Sequence, residues 1–432
     1  MKIAFFTPTH RSSAIARVTV LVRTALQVAG HDVALVATEE VPLTPEQTNE
    51  SLRDSVSWRD EAAVRQISLE SDIVLHQIGN YYPYHAGSVH WLPLIGGCIA
   101  LHDFFLGDMF LAYIPGHEQE AADLLERWYG ITLEQYYTAA ASGMFLEQTW
   151  PRQPLTEWLC QYADGVIAHS AFGLAGPKRS TPAPTLVVPL PYSLDGDTAA
   201  PFDLVEETGP TRRTEVLTFG HINRNKLCDD VIMAIASHRK SRQSITYRIC
   251  GAIEAEERHR LAAVASDLGV DVDITGALSS EELARALDRA DVIVCTRKPA
   301  LESASASAIE GLLSGTPLIV LDTGFYAELS PEVVLHVDHR DVVGGLKKRF
   351  AGITDGSIDL KTMASKAAAY ARDTFRADVY ASELVELGRE AARRKPLREL
   401  DAAFVGLLTT PEGDPQHAIA DLYRHDTEIF RP

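Results

Sequence analysis

Continuous apolar segments that alternate with helix-forming segments constrain the fold of this chain most. Residues 2–7 and 32–37 have the pattern of buried strands, and residues 14–29 between them form a helical segment that ends at Gly30. Further strands are predicted at residues 72–76, 97–102, 164–169 and 185–189. Uninterrupted apolar strands joined by helices are typical of a parallel sheet that is covered on both faces. The first part of the chain therefore predicts a doubly wound α/β domain.

The same alternation begins again at residue 215. Strands are predicted at 215–219, 247–250, 271–275, 291–295 and 318–321, and helices at 228–236, 254–268, 281–289 and 305–313. We therefore predict an α/β protein of two doubly wound, Rossmann-like domains. Residues 1–195 form the first domain, with an aromatic-rich helical insertion at about 104–162. A linker follows at 196–213, a second domain at 214–380, and a helical tail at 381–432 that packs back on the first domain. Ligands are expected where the carboxyl ends of the strands face a cleft between the domains.

Charge and cysteine content restrict the partners and the compartment. Forty Lys and Arg residues against 59 Asp and Glu residues give a net charge of −19, which disfavours nucleic acid and anionic membranes as partners. The five cysteines are odd in number, widely spaced and without metal-binding spacing, which indicates reduced thiols and a cytoplasmic protein. Only four apolar residues follow Met1-Lys2, too few for a signal-peptide core. The longest apolar stretch, residues 91–114, contains His102, Asp103 and Asp108, which disfavours a membrane span.

Two features of the second domain indicate a ligand that contains a diphosphate. The turn after the first strand of each domain lacks the GxGxxG pattern of dinucleotide-binding proteins, and no GxxxxGK[ST] loop occurs. Instead, Gly220 ends a strand and Lys226 follows six residues later, just before a helix. A cation beside a helix N-terminus suits a phosphate. Glu302 and Glu310 flank seven residues that are mostly small, so the two carboxylates can bind hydroxyl groups on either side of a diphosphate.

These residues resemble the motifs of the retaining GT-B glycosyltransferases of family four. The resemblance covers residues 1–390 and rests on the E-x7-E motif from Glu302 to Glu310, followed by residues 311–317. It includes the turn at residues 219–226 and residues 275–278. It implies a nucleotide-diphosphate sugar as co-substrate, with UDP or GDP as the nucleotide, and neither a cofactor nor a metal. The implied donor-site residues are Gly220 and Lys226 at the phosphates, Gly276, Ala277 and Leu278 at the base, Glu302 at the sugar, Ser303, Ala304 and Ser305 at the diphosphate, and Glu310 at the ribose.

The sequence also departs from the pattern of the family. The family has an arginine directly after the glycine of the first turn, where this chain has His221, and Arg224 is a candidate replacement. Ser12, Ser13 and Ala14 stand where the family has glycines in the first-domain loop. His102 matches the family's active-site histidine, and Asp103 lies beside it. The resemblance therefore implies that His102, Asp103, Lys226 and Glu302 form the catalytic set.

The implied reaction is transfer of a sugar with retention of configuration to a small soluble acceptor, a specialised metabolite or another sugar, bound by the first domain. In this chemistry a donor phosphate oxygen takes the acceptor proton, so no enzyme nucleophile is needed. Two alternatives stay open: a GT-B nucleotide-sugar epimerase or hydrolase, and a non-catalytic nucleotide-sugar-binding subunit. A homo-oligomer is also open.

Two further clusters have competing interpretations. Arg297 and Lys298 either contact phosphate or acceptor or form an exposed loop. His76, His85 and His90 lie among aromatic residues in a segment interpreted as a structural or acceptor-lining loop, with a metal site as the alternative.

Overall fold

The structure is a computed structural model that describes residues 1–194, 213–238 and 244–408, with side chains as far as Arg394. Nearly all of the predicted linker, and the last part of the predicted tail, lie outside these residues. The chain forms two compact units. The first contains Met1–Ala168, Gly173–Val188 and the chain from Asp378 onward, and the second contains His169–Phe172 and Pro189–Ala377. The predicted first domain, by comparison, ran without interruption to residue 195.

The first unit is built on a seven-stranded parallel sheet. Its strands in chain order are β1 (Lys2–Thr7), β2 (Asp32–Ala37), β3 (Val56–Ser57), β4 (Ile73–Ile78), β5 (Cys98–Leu101), β6 (Gly165–Ala168) and β7 (Thr185–Val187). Their spatial order is β3-β2-β1-β4-β5-β6-β7, with Lys2 opposite Asp32. The central strands are buried along nearly their whole length, as expected for a sheet with helices on both faces.

The helices of the first unit connect these strands and form the insertion. They are α1 (Ala14–Val28), α2 (Glu61–Glu70), α3 (Tyr82–Ile95), α4 (Gly107–Tyr113), α5 (Glu118–Tyr129), α6 (Leu133–Ala141), α7 (Phe145–Thr149), α8 (Thr156–Cys160) and α9 (Ala175–Ser180). Helices α4 to α8 make up the insertion. Its aromatic residues form a core of their own, in which Phe110 makes edge-to-face contacts with Tyr136 and Trp158.

The second unit is built on a six-stranded parallel sheet. Its strands are β8 (Thr214–Phe219), β9 (Ile245–Cys250), β10 (Val272–Gly276), β11 (Val292–Cys295), β12 (Leu318–Leu321) and β13 (Val334–Val337), in the order β10-β9-β8-β11-β12-β13. The helices are α10 (Cys228–Ala236), α11 (Ala255–Leu268), α12 (Ser280–Arg289), α13 (Ala306–Leu313), α14 (Val342–Asp355) and α15 (Leu360–Thr374). A last helix, α16 (Ala377–Leu408), packs on the first sheet, where Gly388 meets Ile73.

The predicted fold class, two doubly wound α/β domains, is confirmed. The histidine and aromatic segment interpreted as a loop, residues 76–90, lies in β4 as far as Ile78 and in α3 from Tyr82 onward, with residues 79–81 between the two. Helices α15 and α16 are separated at Phe375 and Arg376. No helix among the described residues is long and apolar enough to cross a membrane. The same residues contain no cluster of three or more His, Cys, Asp or Glu side chains that could hold a metal ion.

Candidate functional site

The glycine turn after β8 begins the candidate site of the second unit. The chain leaves β8 at Phe219, adopts a φ of 100° at Gly220 and enters a 3₁₀ turn at Arg224–Lys226 that leads into α10. The end of β9 lies directly against this turn, because a Cβ atom on Gly251 would lie 1.7 Å from the Gly220 carbonyl oxygen. The turn is therefore positioned by the neighbouring backbone at the carboxyl edge of the sheet, where α/β proteins bind ligands.

Lys226 is a buried cation at this edge. Only 5% of the residue is exposed, and its ammonium group donates a hydrogen bond of 2.7 Å to the Phe219 carbonyl oxygen. Its own carbonyl oxygen accepts a hydrogen bond of 2.6 Å from the Thr296 hydroxyl. Burial lowers the pKa of Lys226, and the positive charge of Arg297 lowers it further, while the Glu302 carboxylate opposes both effects. A cation held in this way is positioned for an anionic ligand.

Arg297 and Glu302 form an ion pair next to Lys226. The distance from Arg297 Nε to Glu302 Oε1 is 3.0 Å, and only 18% and 25% of the two side chains are exposed. Tyr326 lies nearby, since burial and then the Glu302 carboxylate raise the pKa of its hydroxyl group. Arg297 is therefore part of the site and not of an exposed loop, whereas the Lys298 side chain turns away to the His339 carbonyl oxygen.

Small residues join the first motif carboxylate to α13. Ser303 is fully buried, and its hydroxyl oxygen accepts a hydrogen bond of 2.6 Å from the His169 amide. Ala304 is half-buried, and Ser305 caps α13 by accepting from the Ala308 amide at 3.4 Å. The N-terminus of α13 thus follows Glu302 directly. The N-terminal turn of a helix provides amide groups and a positive dipole end for an anion.

The second motif carboxylate lies one turn further along α13. Glu310 is half-buried, and its Oε2 accepts a hydrogen bond of 3.2 Å from the Tyr192 hydroxyl group. Tyr192 comes from the segment after β7, which belongs to the second unit. The structure therefore places Glu302 before the helix N-terminus and Glu310 within the helix, so the two carboxylates flank the amide groups of residues 303–305.

The predicted base-reading residues lie at the end of β10. The Gly276 carbonyl oxygen accepts a hydrogen bond of 2.7 Å from the Gly251 amide, which joins this strand end to the glycine turn. Ala277 is exposed and Leu278 is half-buried. Arg258 of α11 donates to the Ile274 carbonyl oxygen at 2.7 Å, so its guanidinium group borders the same strand end.

Two residues predicted to contact phosphate, His221 and Arg224, do not join the cluster around Lys226. The side chain of His221 is exposed, as is that of Arg224. The Arg224 side chain is 76% exposed and extends toward Glu257, with 3.9 Å between its Nε and a carboxylate oxygen. The cation that the structure places beside Lys226 is therefore Arg297.

The predicted active-site residues of the first unit, His102 and Asp103, directly follow β5 and lie beside the end of β4. His102 Nε2 is 2.6 Å from Oε1 of Gln77, and both side chains are buried. Asp103 Oδ2 accepts a hydrogen bond of 2.8 Å from the Asn80 amide. A Cβ atom on Gly79 would lie 3.0 Å from His85 Nε2 and 3.2 Å from Asp103 Oδ2, so His85 belongs to the same cluster.

The loop after β1 in the first unit binds the carboxylate of Glu39. The amides of Thr9 and His10 donate to the carboxylate of Glu39, which is buried at the end of β2. Ser13 caps α1, into which Ala14 leads, and the Ser12 hydroxyl group pairs with His10 Nδ1 at 2.7 Å. Two amides of this turn, those of Thr9 and His10, are therefore occupied by Glu39.

A known protein family matches the segment that contains the candidate site of the second unit. The sequence model of the family "Glycosyl transferases group 1" matches residues 203–341, which include Gly220, Lys226, Glu302 and Glu310. No curated protein sequence matches this chain significantly.

Solved structures resemble nearly the whole chain. Sucrose-phosphate synthase from Thermosynechococcus elongatus matches 93% of this chain and 100% of its own, with 16% identity and a TM-score of 0.60. HepE of Anabaena in complex with UDP-glucose matches 89% of this chain and 98% of its own, with 16% identity and a TM-score of 0.57. A glycosyltransferase of Rickettsia africae matches 90% of this chain and 98% of its own, with 14% identity and a TM-score of 0.60. The fold is GT-B.

Several residues of this GT-B protein that contact the candidate sites were not predicted from the sequence. Gln77, Tyr192 and Glu39 each bind a predicted residue or occupy a predicted loop, yet none belongs to a motif. The signal available for Gln77 was a pair of polar residues, His76 and Gln77, inside a strand that is otherwise apolar. Glu39 lies two residues after the end of β2, which is a comparable signal.

Proposed function

We propose that this protein is a retaining glycosyltransferase that moves a sugar from a nucleotide-diphosphate sugar to a small soluble acceptor, a specialised metabolite or a sugar. One observation carries the proposal. Buried Lys226, Glu302, the capped N-terminus of α13 and Glu310 lie together at the carboxyl edge of the second sheet. The family match covers this same segment.

Each part of a nucleotide sugar has a counterpart in this arrangement. Lys226 and the amides of residues 303–305 suit a diphosphate, since a cation and a helix N-terminus both stabilise negative charge. Glu310 suits the ribose hydroxyl groups, and Glu302 those of the sugar. UDP or GDP is the proposed nucleotide, and the similarity to HepE, which was solved with UDP-glucose, supports UDP.

In the proposed chemistry the acceptor hydroxyl attacks the anomeric carbon from the side of the leaving group. The bond between that carbon and the diphosphate oxygen breaks, a bond to the acceptor oxygen forms, and the acceptor proton passes to the diphosphate. Lys226 offsets the negative charge that develops on the leaving group. No side chain forms a covalent intermediate, so retention requires no second carboxylate near the sugar.

Other features of the chain support proposals for the acceptor site and for the cellular location of the protein. We assign acceptor binding to the first unit, where His102 and Asp103 lie in one polar cluster. All five cysteines are buried thiols outside any disulfide bond, which suits a reducing compartment and supports a cytoplasmic location.

Thermal unfolding in the presence of UDP, GDP, dTDP and ADP, with and without their sugars, tests the donor site. Ligand bound to the native state stabilises it by about 2.7 kcal/mol at 100 times the dissociation constant. We expect one nucleotide to raise the midpoint, Glu310→Ala to abolish the shift, and Glu256→Ala, which removes an exposed carboxylate on α11, to leave it unchanged. No shift with any nucleotide would contradict the proposal.

Turnover separates the proposed activity from its alternatives. A glycosyltransferase consumes the donor with acceptor and yields a product whose anomeric configuration, measured by NMR, matches the donor. Glu302→Ala should abolish turnover and keep much of the nucleotide affinity through Glu310. Donor consumption without acceptor would favour an epimerase or hydrolase, and binding without turnover would favour a non-catalytic subunit.

A further inference from the structure

The diphosphate site described above has one buried cation and lacks the arginine that the family pattern places after the glycine turn. His221 occupies that position and is exposed. Arg224, three residues later, is 76% exposed and extends toward Glu257. Neither side chain therefore brings a second positive charge to Lys226.

Arg297 does bring one, from a different strand end. It follows β11, the strand next to β8, so the loops after the two strands meet at the same edge of the sheet. The loops are joined by the hydrogen bond from Thr296 to the Lys226 carbonyl oxygen and by one of 2.9 Å from the Lys298 amide to the Asn225 carbonyl oxygen. This backbone connection holds the Arg297 side chain, 18% exposed, near the buried ammonium group.

Lys226, Arg297 and Glu302 together contribute two positive charges and one negative charge. Two cations share one carboxylate, and the distance of 3.0 Å assigns that carboxylate to Arg297. Like charges in a weakly solvated site repel, and an anionic ligand relieves that repulsion. Among these three side chains the positive charges outnumber the negative one, at the point where the N-terminus of α13 also favours an anion.

We propose that Arg297 binds the diphosphate of the nucleotide sugar, in place of the arginine absent from position 221. The inference rests on the proposed function and deepens it. A guanidinium group has five N–H donors in a planar fork, more than one carboxylate oxygen can accept. Arg297 can therefore hold Glu302 and a phosphate oxygen at once, which couples the orientation of the sugar-binding carboxylate to the presence of the diphosphate.

Calorimetric titration of the full chain with the diphosphate, the monophosphate and the nucleoside of one base tests this role. The base is the one that stabilises the wild-type protein. We expect Arg297→Gln to weaken binding of the diphosphate by roughly ten- to a hundredfold, as for the loss of a hydrogen bond to a charged group. Nucleoside affinity should stay unchanged, because the lost contact is to phosphate. Arg297→Lys keeps the charge without the fork and should recover part of the affinity.

Arg224→Gln is the matched control, since it removes the same charge from an exposed side chain three residues after His221. It should change diphosphate affinity less than twofold. Unfolding midpoints without ligand identify any variant that fails to fold, and Arg297→Lys then carries the test. Wild-type diphosphate affinity in Arg297→Gln, or equal losses for diphosphate and nucleoside, would overturn the inference while leaving the proposed function intact. A wild-type protein that binds no nucleotide would overturn both.

Discussion

At the scale of single residues, the contact between Gln77 and His102 determines which imidazole nitrogen carries the proton. Gln77 Oε1 lies 2.6 Å from His102 Nε2, and an amide oxygen can only accept. His102 therefore has its proton on Nε2 in this arrangement. Gln77 is fully buried on β4, so under the proposed function we expect it to act as a positioning residue for His102.

Replacing Gln77 should change the proposed transfer reaction through His102. Gln77→Leu removes the acceptor of a hydrogen bond worth about 1 kcal/mol, so kcat should fall about fivefold while nucleotide affinity is unchanged. Gln77→Glu places a carboxylate against the imidazole, which favours its protonated form and should move the acidic limb of the pH–rate profile to higher pH. Steady-state kinetics across pH measure both effects.

Gln148→Glu is the control for the added charge, because Gln148 is exposed on α7. Its pH–rate profile should match that of the wild-type protein. An unshifted profile in Gln77→Glu would show that Gln77 does not control the protonation of His102.

Sequence patterns could identify motif residues but not the partners that orient them. Lys226, Glu302 and Glu310 were predicted because residue type and spacing along one segment limit what they can do. Tyr192 reaches Glu310 across 118 residues, and no local pattern relates the two. Such pairs depend on which loops the sheet order brings together, and that order follows from packing of the whole sheet.

At the scale of secondary-structure elements, the glycine turn after β8 depends on Gly251 at the end of β9. Gly251 has a φ of 138°, and a Cβ atom there would lie 1.7 Å from the Gly220 carbonyl oxygen. Any side chain must therefore push the two strand ends apart. The Gly251 amide also donates to the Gly276 carbonyl oxygen, so the shift would reach the end of β10.

We expect Gly251→Ala to lower the free energy of unfolding by about 3 kcal/mol or more and to abolish nucleotide binding, because backbone overlap adds to conformational strain. Gly269→Ala is the matched control. Gly269 also has a positive φ, of 63°, but a Cβ atom there meets nothing within 4 Å, so only the strain of about 1 kcal/mol applies. Urea unfolding measures both changes. Similar losses in the two variants would contradict the steric argument.

The elements predicted best are those whose pattern has one interpretation. Strands Asp32–Ala37 and Leu318–Leu321 and helix Cys228–Ala236 have the predicted bounds. Helix α3 was missed because residues 85–89 are all buried, so no period of 3.6 appears there, and because the helix contains Pro83 and Pro93. The continuous burial of residues 85–89 is a property of the folded unit and not of the segment.

At the scale of the whole molecule, two buried histidines link the stability of the first unit to pH. His76 lies on β4 with its Nδ1 buried and without a hydrogen-bond partner, and His85 lies on α3 in the same condition. Burial lowers the pKa of His76 to about 3 and that of His85 to about 4. In the unfolded chain both have ordinary values near 6.5.

The unfolded state therefore binds more protons than the native state between pH 6.5 and pH 4. Stability from these two groups is complete above pH 6.5 and is lost as the pH falls toward their folded pKa values, by about 1.4 kcal/mol per pH unit for each histidine.

All five tryptophans, at positions 58, 91, 128, 150 and 158, lie in the first unit, so their fluorescence reports its unfolding specifically. Urea titrations of His76→Gln and His85→Gln between pH 7 and pH 4.5 should each show a shallower dependence on pH than the wild-type protein. His259→Gln, which alters an exposed histidine on α11, should show the wild-type dependence. Equal slopes in all four proteins would mean that other groups, and not the burial of these neutral imidazoles, set the acid sensitivity of this unit.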